Sequence, residues 1–133
     1  MKFAHRWVAL GLFGTIIAAG SACSADLLAP FEPEITNVQD NFQLQATGVT
    51  DVTMARTYNW QNSGTRATAN HSTTTTAGLT RVVIRDANGT VVYDKALMPS
   101  LNEATAVGVA GSWKIDLTLT GYTGTLNFRV QKL

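Results

Sequence analysis

The only sulfur nucleophile in this sequence is Cys23, and three small residues precede it, Gly20-Ser21-Ala22. A thiolate can be alkylated, and small side chains on its N-terminal side let the backbone enter a protease cleft. With no second cysteine, an internal disulfide is excluded. Other chemistry-bearing residues are sparse. His5 lies in the basic N-terminal stretch, and His71 sits in the polar run ATANHSTT. A Ser-His-Asp constellation needs a positioned hydroxyl and a positioned acid, and nothing in the spacing around His71 marks either. His71 therefore reads as a solvated or edge histidine. A zinc site needs about three protein ligands, which one histidine does not supply, and no metal or cofactor is expected. The acids are scattered: Asp26, Glu32 and Glu34 early, then Asp40 and Asp51, Asp86 and Asp94, and Asp116. Two carboxylates would serve glycosidic hydrolysis only if the fold brought them together. Asp86-Ala87-Asn88-Gly89 offers oxygens to Ca²⁺, but Asn-Gly already meets the need of a tight turn there. Arg56, Arg66, Arg81 and Arg85 read as a solvated sheet face with cross-strand pairs.

Binding chemistry is concentrated in Tyr58-Asn59-Trp60-Gln61-Asn62. Aromatic rings beside amide side chains suit stacking on sugar rings and hydrogen bonding to hydroxyls, which makes Tyr58 and Trp60 carbohydrate-site candidates. Tyr122, between two glycines, is a further candidate at an expected hairpin tip. Against this, Tyr58 and Trp60 share one strand face, and aromatics in β domains are usually packed.

The residues around Cys23 have a recognisable layout. Lys2 and Arg6 form a short positive segment, and Trp7 to Ala19, WVALGLFGTIIAA, carries no charge. That run matches a signal-peptide h-region and falls short of the ~20 residues of a spanning helix. Gly20-Ser21-Ala22-Cys23 then resembles the lipobox of bacterial lipoproteins, in which the cysteine is acylated and becomes the new N-terminus. Ser21 and Ala22 fit that pattern. Gly20 departs from it, since a branched apolar residue is usual there, and this leaves ordinary secretory cleavage open, after Ala22 or after Ala25. The resemblance implies a palmitate-type lipid anchor at Cys23 and membrane attachment through it. In lipoproteins of two-membrane bacteria, Asp after the cysteine favours inner-membrane retention, so Ser24 implies the outer membrane. The expected organisation is a signal peptide over 1–22, a lipidated N-terminus and tether over 23–36, and one domain over 37–133. Pro30 and Pro33 predict an extended tether, although Leu27, Leu28 and Phe31 could instead dock on the domain.

Beyond Cys23, acidic and basic side chains nearly balance and no basic patch is visible, so nucleic acid is not an expected partner. The text there alternates with period two. Trp113, Ile115, Leu117 and Leu119 share one face; Lys114, Asp116 and Thr118 share the other. Leu126, Phe128 and Val130 repeat the pattern. Gly121-Tyr122-Thr123-Gly124 between them predicts a hairpin. A second hairpin is predicted from Leu79 to Asp94 through Asn88-Gly89. Upstream, Asn41–Thr47, Val52–Trp60 and Thr65–Ser72 read as strands, Thr73–Thr76 as a loop, and Glu103–Val109 as one more strand. Seven or eight short strands without a long helix predict a small antiparallel β-sandwich of jelly-roll or immunoglobulin-like type.

The stretch from Leu79 to Val130, about half of the chain beyond Cys23, resembles through VIRDANGTVVYD and GSWKIDLTLTGYTGTLNFRV the second half of pre-peptidase C-terminal-type jelly-roll modules. Such modules accompany secreted enzymes without being catalytic, whereas this sequence has no attached catalytic domain. The expected function is thus a non-enzymatic, lipid-anchored envelope protein displaying a β-sandwich to a carbohydrate or protein partner. The alternatives are a structural subunit assembling through edge strands and, with so thin a catalytic inventory, a small hydrolase.

Overall fold

The computed structural model describes residues 26–133; Cys23 and the expected signal-peptide helix lie outside the described residues. Apart from one 3₁₀ turn at Ala29–Phe31, the regular elements are strands: β1 (Glu34–Val38), β2 (Asn41–Asn62), β3 (Ala67–His71), β4 (Thr74–Arg85), β5 (Val91–Lys95), β6 (Leu101–Ala104) and β7 (Gly111–Lys132). Every pairing is antiparallel, and the seven strands form one sheet.

The hub is β7. One edge pairs with β2 from Asn41↔Gln131 to Asn62↔Gly111. Its other edge pairs first with β3, from Ala67↔Lys132 to His71↔Phe128, and then with β4, from Thr74↔Thr125 to Arg85↔Lys114. Ser72 and Thr73 join these two strands: Ser72 N–H donates to the Asn127 carbonyl at 3.0 Å, and the Thr73 hydroxyl accepts Asn127 N–H at 3.1 Å. Three long ribbons therefore run side by side, with β1, β6 and β5 extending their margins. The ribbons bend midway, so the sheet folds over its own inner face. Phe42 from one layer meets Tyr58 from the other with ring centroids 5.2 Å apart. Trp60 and Trp113 pack edge to face at 5.9 Å, an arrangement aromatic quadrupoles favour. The result is the expected all-β, sandwich-like architecture.

The bend accounts for the main departure from the sequence reading. Neither the hairpin expected at Gly121–Gly124 nor a break between Thr47 and Val52 exists; β7 and β2 each run through. The buried positions of β7 are odd-numbered from Trp113 to Leu119 and even-numbered from Tyr122 to Val130. A period-two strand changes face only by inserting a residue, which is what a bulge does. Gly121 supplies it with φ 53°, and the ladders to β2 and β4 shift register nearby. Gly124, at φ 151°, passes so close to β4 that a Cβ there would lie 2.0 Å from the Thr74 carbonyl oxygen. The same φ > 0 chemistry that closes hairpins bends adjacent strands here.

Smaller corrections follow from pairing. The predicted Thr73–Thr76 loop is mostly the start of β4, because it pairs with Gly124 and Thr125. Only Glu103 and Ala104 of the predicted Glu103–Val109 strand lie in β6, and the chain beyond them bridges the layers, with Thr105 N–H donating to Ala67 and Ala106 N–H to Val92. The Asp86–Thr90 turn joins β4 to β5 as predicted.

The expected lift-off tether is largely part of the domain. Asp26 accepts Leu28 N–H on its side chain at 3.1 Å and Ala29 N–H on its carbonyl at 3.0 Å, which starts the 3₁₀ turn. Leu28 is 1% exposed and Phe31 packs against the core, while Leu27 stays 46% exposed. This segment lies where β2 has no strand beyond its second half. There a leucine fills the open flank between the layers, a burial that stabilises by roughly 1.5–3 kcal/mol. β1 then begins within the expected tether, at Glu34.

Candidate functional site

The aromatic candidates are core residues. Trp60 and Tyr122 are fully buried and Tyr58 is 8% exposed. Trp60 Nε1 donates to the Val38 carbonyl at 3.1 Å, and the Tyr122 hydroxyl donates to the Thr74 carbonyl at 2.9 Å. Three buried rings, two of them tied to backbone oxygens, leave no surface for a sugar to stack on, so the carbohydrate reading of Tyr58, Trp60 and Tyr122 is withdrawn. Tyr122 is inside because β7 does not turn at Gly121–Gly124.

His71 is also inside, at 1% exposure, and is neither solvated nor on an edge. Its Nδ1 lies 3.0 Å from the Leu97 carbonyl and its Nε2 3.0 Å from the Tyr93 hydroxyl. A carbonyl only accepts, so Nδ1 carries the proton and Nε2 receives the tyrosine hydroxyl. Burial lowers the His71 pKa. Burial, with Glu103 nearby, pushes Tyr93 up to about 12. Leu97 N–H donates to the Thr80 hydroxyl at 3.0 Å, so both backbone polar groups of Leu97 are held. The imidazole works as a packing and loop-pinning group. The signal for it lay in residues 22 and 26 positions away, which no local window contains.

Asp86 is another sequestered group. One carboxylate oxygen accepts Asn88 N–H at 3.0 Å and Thr90 N–H at 2.9 Å, and the other accepts Val109 N–H at 3.0 Å. Three amides aimed at this carboxylate occupy the lone pairs a Ca²⁺ ion would need. Among the described residues no group of three His, Cys, Asp or Glu side chains is placed to hold a metal ion.

The outer face of the second layer is polar and paired. Arg81 grips Asp94 through two bonds of 2.8 and 2.6 Å, which hold the Asp94 carboxyl below its usual range. Asp116 accepts the Thr57 hydroxyl at 2.5 Å and lies 3.4 Å from Arg85 Nε. A shallow groove of about 480 Å³ runs beside them, walled by Leu79, Arg81, Asp94, Lys95 and Thr118. Its ionic groups are paired, Arg81 with Asp94 inside the groove and Lys95 with Glu103 outside it at 3.5 Å.

A further concentration of interacting groups among the described residues is the flank that holds Asp26. Arg56 falls on the inward row of β2 with Val52, Met54, Tyr58 and Trp60, the one charged interruption of an apolar face. An inward charge needs a partner. Asp26 supplies it through a direct ion pair, and the guanidinium lies 5.2 Å from the centre of the Tyr58 ring. The bond from Arg56 holds the Asp26 carboxyl below its usual range. Burial raises the Tyr58 pKa, and its hydroxyl has no hydrogen-bond partner among the described residues. Asp26, three residues after Cys23 in the sequence, thus accepts the N–H of Leu28, which it holds in the flank, and pairs Arg56. Neither a scan against protein-family models nor a search of curated proteins gives a match for this chain.

Proposed function

We propose that this chain is a non-enzymatic, lipid-anchored protein of the bacterial envelope that presents its β-sandwich to a protein partner. The carrying observation is the Gly20-Ser21-Ala22-Cys23 sequence, followed three residues later by Asp26, which is hydrogen-bonded to Leu28 and ion-paired to Arg56. Cleavage before Cys23 leaves in the mature chain every packing and hydrogen-bond contact made among the described residues. Acyl chains contribute about 0.8 kcal/mol per buried CH₂, so a multiply acylated Cys23 holds the protein on a membrane without a spanning helix. Ser24 favours the outer membrane. The polar outer face of the second layer, with Arg81, Arg85, Lys114 and Asp116, is the surface offered to a partner. Metabolic labelling with palmitate tests the anchor: label is expected on the wild-type protein and absent from Cys23→Ala, and equal labelling of both would overturn the proposal.

Assembly through edge strands is the second reading. The outer edge of β4 has no strand beside it from Thr74 to Arg81. Register shifts between Thr75 and Leu79 and the charge of Arg81 blunt that edge, as sheets that avoid pairing do. Growth of light scattering with concentration in the Cys23→Ala protein would favour assembly over a monomeric module.

A further inference from the structure

The docked N-terminal segment limits how the domain can sit on a membrane. Three residue-to-residue steps separate Cys23 from Asp26. Fully extended, they span roughly 10–11 Å, whatever path they take. Asp26 is not free to move off: it is ion-paired to Arg56 on β2, and Leu28 two residues later is 1% exposed. A residue acylated at Cys23 sits at headgroup depth, so the part of the fold that holds Asp26 must stay within that reach.

We propose that the flank formed by Asp26–Phe31 and the unpartnered second half of β2 is the surface this domain lays against lipid headgroups. The inference rests on acylation at Cys23. Its occupant is the lipid surface, fixed by the length of chain between Cys23 and Asp26. Leu27, 46% exposed in the docked turn, is a large apolar side chain four residues after Cys23 in the sequence. Glu32 and Glu34 beside it are exposed and without ion-pair partners among the described residues. An acidic margin suits zwitterionic headgroups, whose ammonium groups face outward, better than an anionic surface. The opposite margin of the sheet, with β5 and the Asn88 turn, then faces away from the bilayer and leaves the Arg81–Asp94 face accessible.

The test uses the acylated protein in phosphatidylethanolamine-rich vesicles. A fluorophore is placed on Leu27→Cys or on Asn88→Cys, and the vesicles carry a headgroup-attached nitroxide. Strong quenching is expected at position 27 and little at position 88. A Gly/Ser insertion of about twelve residues between Ala25 and Asp26 should abolish the quenching while flotation with the vesicles continues, because such a linker is flexible and adds several times the native reach. Flotation with equal quenching at both positions, or with quenching at 27 that the insertion leaves unchanged, would overturn the proposed orientation while leaving the anchor standing. Loss of flotation in the wild-type protein, with no acyl label, would overturn the anchor and the orientation together.

Discussion

Two stretches of this chain carry the same turn-forming chemistry and meet opposite fates. Asp86-Ala87-Asn88-Gly89 reverses the chain between β4 and β5; Gly121-Tyr122-Thr123-Gly124 carries β7 straight through a bend. Both contain residues at positive φ, Gly89 at 82° and Gly121 at 53°. What separates them is what the intervening side chains touch. In the first stretch the carboxylate of Asp86 folds back on the local amides of Asn88 and Thr90, and the turn is closed by its own residues. In the second, Tyr122 is pulled into the core and bonded to Thr74, and β2 and β4 continue on either side. Positive φ permits a reversal; neighbours decide whether the extra residue becomes a loop or a bulge.

Substitutions can break that contrast. The largest effect is expected from Tyr122→Ala, which empties a core position and should cost about 3–5 kcal/mol in urea unfolding. At a hairpin tip the same change would cost almost nothing. Gly124→Ala should follow, at about 3 kcal/mol, since its Cβ collides with the Thr74 carbonyl oxygen. Gly89→Ala meets nothing within 4 Å and should cost only the conformational penalty, about 1 kcal/mol. Equal costs for Gly124→Ala and Gly89→Ala would mean that the two stretches are alike after all.

Acid sharpens the contrast further, with a smaller effect. Burial makes the His71 pKa lower in the folded chain than in the unfolded one, so the unfolded state takes up the proton more readily. The stability this neutral imidazole supports is present above about pH 6.5 and declines as pH falls toward the folded value. Amide exchange at Leu97, which His71 and Thr80 pin, should accelerate between pH 7 and 5 after correction for the intrinsic rate. The amides of Asn88 and Thr90 should not change. His71→Gln should lose this pH dependence.

Much of the sandwich is written in the period-two text. Trp113 to Leu119 and Leu126 to Val130 face inward as their alternation requires. The β4–β5 turn is legible because Asp86, Asn88 and Gly89 act within a few residues. The bend is not, since the identity of Gly121 and Gly124 says only that φ > 0 is allowed there. Tyr58, Trp60 and Tyr122 show the same division: residue type marked them as large aromatics, while their burial depends on strands far away in sequence. Arg56 reads as part of a solvated sheet face but lies on the inward row of β2, and its partner Asp26 lies thirty residues upstream in a Pro-containing stretch with no period of its own. Interaction chemistry was legible where partners are local and hidden where the fold supplies them.

The continuous β2–β7 ladder has a kinetic consequence. Its nearest pairing, Asn62 with Gly111, and its farthest, Asn41 with Gln131, close loops of roughly 50 to 90 residues. The β1–β2 and β4–β5 hairpins are local, and the β3–β6 and β4–β7 ladders close loops of roughly 30 to 50 residues. Chains dominated by such distant pairings fold in about milliseconds to seconds, not microseconds. The two layers also share β2 and β7, so neither can be completed as a separate folding unit. Both layers are therefore completed late, once β7 pairs with β2 as well as with β3 and β4.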